Sequence, residues 1–116
     1  MPTPAELRLT TLRELRATRQ LMLSGPWEVF IEAQPPAKQS EAAARLSDIE
    51  LAIQALQKAA LADIRDKLVA NEKELLKGTA ALAKARANLA KLQTVLEVVG
   101  SLLTIVGRIA KFTATG

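Results

Sequence analysis

Leucine recurs at every seventh position from Leu61 through Leu68, Leu75, Leu82, Leu89 and Leu96 to Leu103. A second row, Ile64, Asn71, Gly78, Ala85, Leu92, Val99 and Val106, follows three residues behind it. Two rows in a seven-residue frame form one seam along a helix, the pattern of long helices packed side by side. The seven leucines are therefore the candidate interaction seam. Upstream, Leu46, Ile49, Ile53, Leu56, Ala60, Ile64 and Leu68 form a related row. Its consecutive steps of four bring it into phase with the later seam, as a stutter does in a coiled coil.

Around this pattern the sequence predicts a helix over about residues 4–23, a crossover over 24–39, and helices over about 40–77 and 79–112. Thr3-Pro4-Ala5-Glu6 carries the marks of a helix start: a hydroxyl that can accept from the backbone N–H of Glu6, a carboxylate that can reach back, and a proline at the first helical position. Ser24-Gly25-Pro26 reads as its stop. The run from Trp27 to Glu32 has the aromatic and β-branched content of an extended piece, yet no partner strand, and is read as an ordered crossover. Trp27 and Phe30 there either cover the end of the bundle or serve as a docking surface. Gln34-Pro35-Pro36-Ala37-Lys38 is a short extended linker, and Ser40 is the expected cap of the next helix.

Lys77-Gly78-Thr79 admits two arrangements. Lysine in a last turn, glycine beyond it and threonine as the next cap would close an antiparallel hairpin, on whose open end the first helix packs to make a three-helix bundle. Alternatively the seam, whose phase continues through Gly78, belongs to one continuous helix of about 105 Å assembled as an oligomeric coiled coil. The hairpin is the preferred expectation, because it sets the acidic middle of the chain against its basic end. Asn71 then either fixes register as a buried polar contact or points to solvent near the turn.

Residues 92–112 are apolar on more than a seam. Val95, Val99, Leu102, Val106, Ile109 and Phe112 make a face that belongs either in a core or at a membrane interface. Even its span from Leu92 to Gly107 is shorter than the roughly 20 residues that a simple bilayer crossing needs, and it contains Glu97.

Composition supports helices: half of the 116 residues are hydrophobic, yet only Trp27, Phe30 and Phe112 are aromatic. The net charge of +4 is uneven. Residues 25–76 hold nine acids against six bases, whereas residues 77–116 hold six bases against Glu97 alone.

The chain contains no histidine, cysteine or tyrosine. The commonest general base, the thiolate nucleophile and the soft metal ligands are thus missing. No nucleophile elbow, Walker loop or dinucleotide glycine motif occurs. The acids Asp63, Asp66, Glu72 and Glu74 alternate with lysine and arginine, as on a solvated helix face. A non-enzymatic protein with no cofactor, no metal and no small-molecule substrate is expected. Arg8, Arg16 and Arg19 share one side of the first helix, but without interleaved aromatics or a DNA-binding motif nucleic acid is not favoured.

The function expected from these features is that of a helical interaction or assembly module, pairing with itself or with a helical partner through the seam. The alternative is a membrane-active protein that inserts, or lies at the interface, through residues 92–112. The opening residues lack a basic-then-apolar pattern, so the expected location is cytoplasmic, with peripheral membrane contact as the variant.

Overall fold

Thr3 caps the first helix in the manner its sequence foretells. The backbone N–H of Glu6 donates to Thr3 Oγ1 at 3.1 Å, and the backbone N–H of Thr3 donates to Glu6 Oε1 at 2.8 Å. The hydrogen bond from Thr3's backbone, with its side chain second, holds the Glu6 carboxyl below the usual carboxylate range. The structure is a computed structural model that describes residues 2–88 and 91–112. Among these residues it has six helices and no strand: α1 (Pro4–Met22), α2 (Gly25–Glu32), α3 (Pro36–Lys58), α4 (Leu61–Ala70), α5 (Glu72–Arg86) and α6 (Leu92–Ile109).

Four of them form a ring. α1 packs on α3 and α5, and α6 packs on the same two from the opposite side, which leaves α1 and α6 on one diagonal and α3 and α5 on the other. Residue pairings give the directions. Arg8 of α1 reaches Ala59 beyond the end of α3, whereas Met22 lies beside Ala42, so α1 and α3 run antiparallel. Lys38 meets Gln93 and Arg45 meets Gly100, so α3 and α6 run parallel. Glu74 pairs with Arg108 and Gly78 faces Leu102, so α5 and α6 are antiparallel. The short α4 links the diagonal pair α3 and α5, and packs on α1 and α6 to close that end of the bundle with Ile64 and Leu68 turned inward.

Several expected boundaries are corrected. Gly78 is no turn: α5 runs through it, and its φ is not positive. An antiparallel helical hairpin is present, but its arms are α5 and α6 and its connection falls after Arg86. The expected helix over 40–77 is instead α3 from Ser40 onward, α4 and only the first part of α5. The first break, at Ala59 and Ala60, has extended backbone (ψ 133° and 134°), and the freed Ala59 carbonyl accepts from Arg8 Nη1 at 2.8 Å. The second lies at Asn71, whose side chain donates to the Lys67 carbonyl at 2.8 Å and so satisfies the end of α4. Asn71 is thus a joint between helices rather than a register contact. α1 lies lengthwise between α3 and α5 rather than on the open end of a hairpin.

The crossover over 24–39 also contains helix. Ser24 accepts from the N–H of Trp27 at 3.4 Å, so the residues that stop α1 also start α2. Pro26 is in its first turn, where a missing N–H costs nothing. α3 begins at Pro36 rather than after Ser40, because a proline with fixed φ suits the first helical position.

The core draws leucine, isoleucine and valine from all the ring helices. Buried hydroxyls bond within their own helices: Thr11 to the Leu7 carbonyl, Thr79 to that of Leu75 and Thr18 to that of Glu14, at 2.8 to 2.9 Å. Besides Arg108–Glu74, two further ion pairs join or brace the ring. Arg86 of α5 sits 2.6 Å from Glu14 of α1, and its Nη1 also reaches Thr18 Oγ1 at 3.3 Å. On α3, Arg45 stands 3.6 Å from the buried Asp48 and lies across Gly100 of α6. A Cβ on Gly100 would stand 3.4 Å from the guanidinium, an ordinary van der Waals contact.

Candidate functional site

Most of the seam leucines lie inside the bundle. Leu68, Leu75, Leu82, Leu96 and Leu103 are buried, Leu61 is partly buried, and Leu89 lies outside the described residues. The face proposed for core or membrane shares that interior: Val95, Val99, Leu102, Val106 and Ile109 are buried, and Phe112 packs partly buried against them. Trp27 is buried and Phe30 partly so; the tryptophan lines a cleft with Met22, Ile31 and Leu46 rather than standing out for docking. These side chains are spent on the fold of a single chain. α6 is long and apolar enough to cross a membrane by length and composition, and half of it is buried within the bundle.

One surface open to a partner is a groove between α5 and α6, of about 440 Å³. Its floor mixes small residues with branched apolar ones. Gly78 and Ala81 line it from α5, and Val98, Ser101 and Ile105 from α6. On α5, Gly78 and Ala81 are three residues apart and so lie on one face, with Glu74 and Lys77 a turn before them. On α6, Val98 and Ser101 repeat the same spacing. The absence of bulk at 78 lets α6 approach closely, with Leu102 and Ile105 filling the space a side chain would take.

Charges border the groove. Arg108 Nη1 donates to Glu74 Oε2 at 2.9 Å across one end, with both side chains about half exposed. Lys77 and Glu97 are exposed on opposite walls. An apolar floor with a rim of both signs can take the apolar stripe of a helix and pair the charges that flank it. No group of three or more metal-ligating side chains occurs among the described residues.

Sequence reading missed this groove. Val98 and Ser101 are ordinary helix residues, and Ala81 sits in an alanine-rich run that signals only helix. The one available signal was Gly78, a poor helix former among good ones, whose use as a close-approach residue shows only once α5 and α6 are side by side. No family model matches this chain, and no curated protein or solved structure matches it either.

Proposed function

We propose that this protein is a non-enzymatic interaction module that takes an amphipathic helix of another chain, a helical partner or a second copy, into the α5–α6 groove. One observation carries the reading: with Leu68, Leu75, Leu82, Leu96 and Leu103 buried, the bundle retains an apolar groove bordered by Glu74, Lys77 and Glu97, with Arg108 paired to Glu74. Such a floor admits the ridge of an incoming helix at short interaxial distance. The setting that accompanies this reading is the cytoplasm.

The test is selection of amphipathic helical peptides from a displayed library, followed by NMR mapping on the intact protein. The reading expects amide shifts centred on Ala81, Val98 and Ser101, and loss of binding in Ala81→Arg. Binders that map elsewhere, or a library that yields none, would overturn it. Sedimentation velocity over a concentration series separates self-association from binding of a different chain.

The alternative, insertion of α6 into a bilayer, draws support from its length and apolar content. Its apolar side faces the core, however, so insertion requires the bundle to open. Flotation with uncharged vesicles that persists at high salt would favour it.

A further inference from the structure

We propose that the solvent face of α1 docks on an anionic lipid bilayer. At 100 degrees per residue, Leu9, Arg13, Arg16, Gln20 and Leu23 fall within about 80 degrees of one another, opposite the buried Leu7, Leu15 and Met22. Arg13, Arg16 and Gln20 are exposed, and Arg19 flanks them partly buried. None of the three arginines has an acidic partner among the described residues, where the ion pairs are Lys38–Glu41, Arg45–Asp48, Arg86–Glu14 and Arg108–Glu74. The stripe is therefore uncompensated positive charge.

The leucines decide which anion it suits. Leu9 is 61% exposed and Leu23 64%, at the two ends of the arginine row and about 21 Å apart along the helix. Large apolar side chains held in water at both ends of a basic stripe match a headgroup layer, which takes the cations at its surface and the leucines just beneath. A nucleic-acid backbone would leave those leucines unused. This face also presents no aromatic for base stacking, since Trp27 is buried and Phe30 and Phe112 are partly buried.

The acids around the stripe are engaged or lie at its margins. Glu6 is held in the cap with Thr3, Glu14 pairs with Arg86 on the flank, and Glu28 lines the cleft beside Leu23. Arg8, grouped with Arg16 and Arg19 by sequence, instead binds the Ala59 carbonyl; Arg13 takes its place. This surface is separate from the α5–α6 groove, and the inference stands whether or not the groove binds a helix.

The experiment is co-flotation of the intact protein with phosphatidylcholine vesicles, with and without phosphatidylserine, at low and high salt. We expect flotation only with phosphatidylserine, weakened by salt and reduced roughly 25-fold in Arg13→Gln/Arg16→Gln, about fivefold for each arginine. Leu9→Ser/Leu23→Ser should remove the binding that survives in high salt, with circular dichroism unchanged in both variants. No flotation of the wild type at low salt would overturn the proposal. So would flotation that both variants keep, which would assign it to α6, or arginine-dependent capture of duplex DNA without capture of vesicles.

Discussion

A Cβ on Gly78 of α5 would stand 3.1 Å from Leu102 Cδ1 on α6, so the absence of a side chain at 78 sets how closely the two helices approach. Two effects of substitution oppose each other there. Alanine gains about 1 kcal/mol of helix propensity over glycine, while a fully buried Leu102 has to yield by a few tenths of an ångström. Gly78→Ala should therefore change unfolding free energy by less than about 1 kcal/mol in urea titration. Gly78→Val, which adds bulk without that propensity, should destabilise by about 1–3 kcal/mol.

Arg86 and Arg108 each pair with a glutamate on another helix, but in different surroundings. The Arg86 and Glu14 side chains are 20% and 16% exposed, against 52% and 54% for Arg108 and Glu74. Arg86→Met leaves a partly buried carboxylate without its ion-pair partner and takes a hydrogen-bond donor from Thr18, and should cost about 1–3 kcal/mol. Arg108→Met should cost less than about 1 kcal/mol, since water and salt screen an exposed pair. Thermal melts of the two variants at low and high salt check the ordering.

The cap of α1 makes a pH prediction. Glu6 titrates below its unfolded value, so its contribution is present above the unfolded pKa and is lost as pH falls through the folded one. An NMR titration should place Glu6 below the ordinary range of a glutamate side chain. Glu6→Gln, which keeps an acceptor for the Thr3 N–H without a titrating group, should remove this part of the acid-induced loss of stability.

The seam leucines make the fourth prediction. Leu96 is fully buried, whereas Leu76, on the solvent side of α5, is 40% exposed. Leu96→Ala should cost about 2–5 kcal/mol through lost contacts and the cavity left behind. Leu76→Ala should stay within about 0.5 kcal/mol. Because the seam is internal, the loss in Leu96→Ala should not vary with protein concentration in chemical denaturation, as it would for a seam between chains.

How far the sequence could be read depends on where the deciding interaction lies. Thr3 and Glu6 are three residues apart, and their mutual cap was legible because both partners sit in one turn. The leucine row was legible as burial, but it records only that each helix turns leucine inward, and it keeps its phase whether one helix or several carry it. The break at Ala59-Ala60 had no local sign, because alanine is the best helix former and the Arg8 bond that meets the freed carbonyl comes from 51 residues away. Ser24-Gly25-Pro26 was read as a stop although the same residues open α2; a capping hydroxyl followed by proline serves both. The groove was illegible for the reason the Ala59 break was. Its floor exists only where α5 and α6 cross, and none of its residues announces that neighbour.

The leucine seam closes the fold, and the groove beside it is proposed to bind a helix. Ala81 and Leu82 are adjacent in α5, one lining the groove and the other fully buried. The most direct measurement is fluorescence anisotropy of a groove-selected helix titrated with wild type, Ala81→Arg and Leu82→Arg, with the melting of each protein recorded in the same buffer. The account predicts that Ala81→Arg melts like wild type and does not bind, while Leu82→Arg fails to fold. Full binding by Ala81→Arg, or a folded and stable Leu82→Arg, would contradict it.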